Sequence, residues 1–239
     1  MWKLRGLIID MDDMNLPPIK IIRNPRSKNL RLRVDQSQIR LTAPVYCSER
    51  QIKAFIEQSQ TWLIQTWTAQ QNQRNIIPKE LPKNLKLFNL EHDITIEYQV
   101  QKANFIFDEE HLKLSISQRH PETYLKSFVI HYAKQHLPLF LESLSHQYQL
   151  PYRACHIRQP KTRWGSCSMH HDIMLNSALV LFPEKVVRYV CIHELTHTVH
   201  FDHSINFWNK VSQYDLQYLI HRKALKTSPL PYWWNSSLI

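Results

Sequence analysis

Glycine is almost missing from this sequence, with only Gly6 and Gly165 in 239 residues. Glycine-rich phosphate loops and the dinucleotide-binding fingerprint need several glycines for tight turns and close backbone approach, so activities of those two kinds are not expected. Cysteine pairs are missing too. Cys47, Cys155, Cys167 and Cys191 form no CxxC, which leaves neither a zinc ribbon nor a thioredoxin-like motif. Reduced thiols in a cytoplasmic protein are the simplest expectation. Long apolar runs are also absent. The best, such as Ser177 to Phe182, fall far short of the roughly 20 residues that cross a bilayer. Asp10, Asp12 and Asp13 interrupt the only apolar stretch near the start, so neither membrane insertion nor export is expected. Acidic residues are outnumbered, 20 against 30 basic, for a formal net charge of +10. That excess bears on association with nucleic acid, acidic lipid or acidic protein rather than on chemistry.

What is present is a chain long enough to bury a core without disulfides. From Ile19 to Thr42 apolar and polar residues alternate, with Leu30, Leu32 and Val34 on one face and Arg31 and Arg33 on the other. The polar run Asp35-Gln36-Ser37-Gln38 then makes this a predicted hairpin with one basic face. Ser48 and Glu49 open a predicted helix whose apolar residues run from Ile52 to Leu63. Short alternating runs follow at 85–90, 94–100, 105–107 and 112–116. Pro121-Glu122 then begins a long helical pattern, which Pro138 is expected to kink or interrupt. The expected fold class is α+β: a β-rich part over 1–120 with the basic hairpin and one helix, then a helix-dominated part over 121–239. Short strands near 156–158 and 172–176, a helix from about Pro183 to His200 and a helical region from Ser204 to about Lys226 complete the second part. No internal repeat is visible.

The chemistry-bearing segment is His193-Glu194-Leu195-Thr196-His197, on a helix that Pro183-Glu184 can start and whose apolar face is Val186, Val187, Val190 and Cys191. Histidines four apart on a helix project from one side, so both rings can reach one ion at about 2.0 to 2.1 Å. Glu194 lies roughly 100° around from His193, facing an open coordination position without being a ligand. A catalytic zinc normally takes three protein ligands and a water. His200 lies on the same helical face as His197, and three ligands in line on a straight helix cannot converge. His203 is therefore the expected third ligand, on chain that has turned back, with Asp202 as the left-handed residue of the turn. Ser204 then caps a following helix anchored by Phe207 and Trp208. The expected cofactor is one Zn2+ per chain.

Three segments, Arg163-Trp164-Gly165-Ser166-Cys167-Ser168, Leu175-Asn176, and His193 to His197 running on to Asp202-His203-Ser204 with Phe207-Trp208, resemble the YgjP-like metallopeptidase family, bacterial relatives of the SprT and WLM zincins. The likeness extends to the basic hairpin and its helix. Asp202 stands where the family usually has Asn, and Thr196 where Ala is common; neither change removes a ligand or the base. The resemblance implies a zincin-like part and predicted proteolysis of peptide or protein substrates. Metzincins share the ligand spacing, but His200 replaces their turn glycine and no methionine follows Met174, so that family is rejected.

The expected function is thus a zinc metallopeptidase, of endopeptidase type, that hydrolyses peptide bonds through a zinc-activated water with Glu194 as general base. The Arg163 to Ser168 segment is read as a structural tight turn forming a pocket wall. Arg163 is a candidate for the oxyanion or a substrate carboxylate, Trp164 for the wall, and Asn176 for a bond to a zinc ligand or to an edge-bound peptide. Cys167 has no specific base beside it and is not read as a nucleophile. Two alternatives belong to other classes. One is a nucleic-acid-associated zinc protein, or a protease of DNA-bound proteins, using Lys20, Arg23, Arg26, Lys28, Arg31, Arg33 and Arg40. The other is an idle zincin-fold scaffold docking through Tyr232-Trp233-Trp234.

Overall fold

The computed structural model describes residues 4–5, 8–9, 16–35, 38–76 and 80–235, the backbone alone at 4–5, 8–9, 72–76 and 235. Asp10, Asp12, Asp13, Gln36 and Ser37 lie outside the described residues. The chain divides into two units, Met1–Pro78 and Lys79–Ile239, each with its own core. Among the described residues there are seven α-helices and three small sheets, a mixed α and β architecture. None of these helices is long and apolar enough to cross a membrane.

In the first unit β1 (Leu4–Arg5), β2 (Ile8–Ile9), β3 (Ile19–Arg23), β4 (Arg31–Val34) and β5 (Ile39–Ala43) form a sheet in the order β1-β2-β3-β5-β4. Period-two alternation buries Ile19, Ile21, Val34, Ile39 and Leu41 and leaves Lys20, Arg31 and Arg33 exposed. The expected hairpin is β4–β5, in which Arg33 faces Arg40; β3 adds parallel to β5. Ser48 caps α1 (Glu49–Gln58) in a reciprocal box with Gln51, at 2.9 and 3.3 Å. The single helix expected here is two, because α1 ends at Ser59 and α2 (Gln60–Ile76) starts afresh. Ile52, Ile56 and Leu63 bury against the strands.

In the second unit β6 (Asn84–Leu85), β7 (Ile94–Gln99), β8 (Phe105–Asp108) and β9 (Lys113–Ser117) pair in the order β6-β7-β9-β8. The long helix α3 (Pro121–Tyr148) is not interrupted at Pro138, which lies inside it. A stripe of buried side chains from Leu125 to Leu144 holds it down on both sides of the proline. It is followed by β10 (Ala154–Arg158), β11 (Gly165–Cys167) and β12 (Asp172–Asn176), ordered β10-β12-β11, and by a 3-10 turn over Ser177–Leu181. Then come α4 (Glu184–Thr196), α5 (Ile205–Tyr214), α6 (Tyr218–Thr227) and α7 (Tyr232–Asn235). The helical region expected from Ser204 to Lys226 is thus split in two. Trp233 and Trp234 are 2% and 7% exposed, so the aromatic tail packs in the core instead of presenting a docking element.

One correction concerns the division of the chain. A boundary near residue 120 separates the strands of 84–117 from α3, yet Phe105 and Phe107 stack on Phe128 of α3 at 5.6 and 5.1 Å. A single apolar cluster runs from Leu85 to Trp234. The change in composition at 120 marks a switch of secondary structure inside one core. A fragment of residues 79–239 is therefore expected to unfold cooperatively in calorimetry. A fragment of 121–239, which exposes the α3 face that buries Phe128, is expected to aggregate or lack a transition, and cooperative unfolding of the shorter piece would overturn this division.

Candidate metal centre

Pro183 sits at the N-cap of α4, where its missing N–H costs nothing. The helix buries Val186, Val187, Val190, Cys191 and Ile192, so its last turn is held rigidly as it delivers His193 and Glu194. α4 stops earlier than its apolar spacing predicts. His197 is the C-cap, and the chain unwinds through i to i+3 bonds, Thr198 N–H to Leu195 O at 3.0 Å and Val199 N–H to Thr196 O at 3.1 Å. The Thr196 hydroxyl also donates back to Ile192 O at 2.7 Å. Asp202 is not the left-handed residue of the turn: among the described non-glycine residues positive φ occurs at Leu112, Gln149 and His171. Its carboxylate instead accepts from Ser204 N–H at 3.3 Å, a local turn that redirects the chain into α5. Ser204 occupies the N-cap of α5 without a side-chain cap bond.

This return brings His203 to His193 and His197. Ring centroids lie 5.0, 5.1 and 4.7 Å apart, and one nitrogen from each ring falls within 4.8 Å of the others. The Nε2 atoms of His193 and His203 are 3.1 Å apart. Two ligands at about 2.0 to 2.1 Å from a tetrahedral ion stand about 3.3 Å apart, so the donor set fits a single ion of zinc's size. His197 uses Nδ1 against the His200 carbonyl at 2.9 Å, which leaves Nε2 for the centre. His200 thus enters through its backbone, and its imidazole is not in the cluster. His193 Nδ1 is buried without a partner. Phe207, fully buried, packs against all three rings, and Trp208 stacks on His203 at 5.7 Å.

Glu194 is 5% exposed. Burial pushes its carboxyl up to about 8, and the positive charge of the exposed Arg163 opposes the shift. Gly165 explains the carboxyl's placement. A Cβ on Gly165 would stand 2.4 Å from Glu194 Oε1 and 2.6 Å from its Cγ. The Arg163 to Ser168 segment is therefore not a glycine-made tight turn. Gly165 begins strand β11, and glycine is required there for close approach to the carboxylate. Trp164 packs edge-on against Phe182 at 4.9 Å and lines a cavity of about 230 Å³ with Gly165, His193 and Glu194. Asn176 hydrogen-bonds none of the three histidines: its amide donates to Pro160 O and Arg163 O at 3.0 and 3.1 Å, and its oxygen accepts from Ala178 N–H. It clamps the loop that carries Trp164. Burial raises the Cys167 thiol to about 11, so it is protonated at neutral pH and no nucleophile.

Sequence reasoning missed four residues of the cavity wall: Tyr189, Arg222, Leu225 and Lys226. Tyr189 had a legible signal, since it lies one turn before His193 on the same helix face, its ring 5.9 Å away. The other three come from α6, whose approach to α4 leaves no local trace.

The buried groups couple to stability with opposite signs. Glu194 keeps its proton in the folded state up to about pH 8, while the unfolded chain releases it near its ordinary 4.5, so metal-free stability falls as pH rises through that window. His193, lowered to about 3 mainly by burial, makes the unfolded chain the better proton binder in acid, so stability also falls as pH drops below about 6.5. Metal-free Glu194→Gln protein should therefore gain on wild type by several °C in Tm between pH 5 and 8, while both lose stability alike in acid. Parallel Tm curves for the two proteins across that window would contradict the burial of Glu194 as an uncharged acid.

No curated protein matches the chain. Among solved structures it is similar to the metallopeptidase zymogen of Pyrococcus abyssi abylysin, at 23% identity and a TM-score of 0.34, over 38% of this chain and 94% of that one. The YgjP-like metallopeptidase domain matches residues 28–228, which include β4 and β5 of the basic sheet and the histidine cluster. The chain belongs to the YgjP-like metallopeptidase family.

Proposed function

We propose that this chain is a zinc-dependent endopeptidase with a zincin-like second unit, in which α4 is the HExxH active-site helix, His193, His197 and His203 hold one zinc, and Glu194 is the general base. The observation that carries this reading is the convergence of three ring nitrogens within 4.8 Å, beside a buried carboxylate at a cavity wall. Zinc at that point would act as a Lewis acid and lower the pKa of a bound water toward neutrality. The remaining work falls to the chain itself. Glu194, held by the backbone at Gly165, takes the proton of the attacking water on its carboxylate and returns it to the leaving nitrogen. β11 is an edge strand of its sheet, so an extended peptide added there would run past Glu194 with main-chain hydrogen bonds for affinity. Trp164, Tyr189 and Leu225 form part of the cavity wall beside Glu194. Arg163, whose charge reaches Glu194, is available to the developing oxyanion. A reducing, cytoplasmic setting fits the four free thiols.

Elemental analysis and peptide hydrolysis test this together. Wild type should hold about one zinc per chain, lost in His203→Ala and kept in His200→Ala, because His200 contributes only a carbonyl. Glu194→Gln and Gly165→Ala should keep zinc while losing at least about 100-fold in hydrolysis, the second because its new methyl displaces the carboxylate. Wild type free of zinc when prepared without chelators, or a zinc-loaded Glu194→Gln protein with full activity, would sink the reading.

A second reading, attachment to nucleic acid, is favoured by one feature of the first unit. Arg26, Lys28, Arg31, Arg33 and Arg40 line a depression of about 450 Å³ whose lining holds no acidic residue among the described residues. Arg33 faces Arg40 directly across β4–β5, and Lys20 faces Arg40 across β3–β5, a like-charge arrangement that destabilises a sheet. Arg23 is not part of it, since its guanidinium bonds the carbonyls of Pro44, Val45 and Cys47. DNA binding should fall steeply with salt, with a shallower slope in Arg33→Gln/Arg40→Gln; no binding at low salt rules the reading out.

A further inference from the structure

The cavity beside the histidine cluster has an unusual charge balance. Its wall opposite α4 is formed by α6, which contributes Arg222, Leu225 and Lys226. Arg222 and Lys226 are one turn apart on the face that lines the cavity, and neither belongs to an ion pair among the described residues. Among the described residues the only acid lining that cavity is Glu194, which is buried. Two cations one turn apart repel each other, and no neighbouring carboxylate offsets the cost.

Arg222 is also held in place. Its guanidinium lies over the indole of Trp208, 4.7 Å from the ring centroid. Trp208 also stacks on His203 at 5.7 Å and on Tyr218 at 5.4 Å. The start of α6 is pinned by Asp215, which accepts from Gln217 N–H at 3.0 Å and bonds His221 Nδ1 at 2.7 Å. Leu225 anchors the far turn in the core. Arg222 is thus a pre-positioned fork next to the metal ligands, with Lys226 as a second, more mobile charge. Trp164, Val190 and Leu225 give the wall its apolar part. At about 230 Å³ the space is smaller than the roughly 300 to 1,000 Å³ of whole-ligand clefts, a size for one anchoring residue.

We infer that Arg222 and Lys226 form an anion subsite beside the metal centre, selecting substrates that carry a carboxylate close to the scissile bond. The inference rests on the peptidase reading above. Two sources present the same chemistry: an acidic side chain flanking the cleaved bond, or the free C-terminal carboxylate of a short peptide. A planar fork matches a carboxylate in two parallel hydrogen bonds, and the ammonium adds a point charge.

The test uses the zinc-loaded full-length protein and a library of peptides blocked at both ends, differing by Glu or Gln beside the cleaved bond, with a third set of Gln peptides left free at the C-terminus. Wild type should favour one charged set over the neutral set by about tenfold in kcat/KM, and Arg222→Met/Lys226→Met should lose that preference. A preference for the Glu set assigns the subsite to a side chain, and one for the free-end set to the chain terminus. Equal cleavage of all three sets by wild type, or a preference intact in the double variant, overturns the inference. So does a uniform fall in kcat for every set, which would mean that Arg222 acts on the reacting carbonyl. Binding of the same peptides to the Glu194→Gln protein by calorimetry separates the two readings. If wild type cleaves nothing but charged peptides still bind in an Arg222-dependent way, the peptidase reading fails and the anion subsite stands.

Discussion

Everything at the candidate centre depends on where α4 stops. Two histidines one turn apart can share an ion, but a third on the same straight helix cannot, so the chain has to leave the helix and come back within six residues of His197. The end is prepared from inside. Thr196 turns its hydroxyl back onto Ile192 O, the following amides contract to i to i+3 bonds, and the His200 carbonyl then meets His197 Nδ1. That last contact serves two purposes, because it ties down the turn and fixes which nitrogen of His197 faces the centre. The returning chain is trapped by Phe207 and Trp208 at the start of α5, so the third ring is held by aromatic packing although His203 itself is exposed.

The other side of the site obeys a steric constraint. In a chain with two glycines, Gly165 stands where a side chain would collide with Glu194. β11 can approach α4 this closely only with a bare Cα, and the approach in turn shields the carboxyl from water. The clamp from Asn176 to the carbonyls of Pro160 and Arg163 holds the incoming loop so that Trp164 and Gly165 arrive in register. Asn176 therefore acts on the site at one remove, through backbone placement.

The histidine cluster was legible in the sequence because it is local: helical period, a third histidine a few residues on, and an aromatic pair behind it. Glu194 was legible for the same reason, being fixed by its angle from His193. What was not legible came from pairing at a distance. Composition changes at 120, but the core does not, because β7 pairs parallel with β9 and both pack under α3. The structure also repeats one topology that leaves no repeat in sequence. In β3-β5-β4, β7-β9-β8 and β10-β12-β11, the central strand comes last in the chain, pairing parallel with the first strand of its trio and antiparallel with the strand just before it in sequence. Backbone hydrogen bonding carries that recurrence, so side-chain identity is free to drift. Arg222 and Lys226 were hidden similarly, since nothing near α6 hints that it lines the cavity. Asp202 was assigned a left-handed φ on propensity alone, and a side-chain turn to Ser204 does the same work.

Charge completes the picture. The environment lowers His193 and His197, so neither ring competes for protons at neutral pH and both are available as uncharged ligands. Burial by itself would leave Glu194 protonated at the same pH, and Arg163, exposed and therefore screened, offsets only part of that cost. A carboxyl in that state cannot accept a proton. The deficit is one of positive charge at the three rings, where a dication held by neutral nitrogens keeps its full charge. Under the proposed function, the same burial that raises Glu194 would tie its competence as a base to occupancy of the histidine cluster, and a metal-free molecule would be inert by protonation as well as by lack of a Lewis acid.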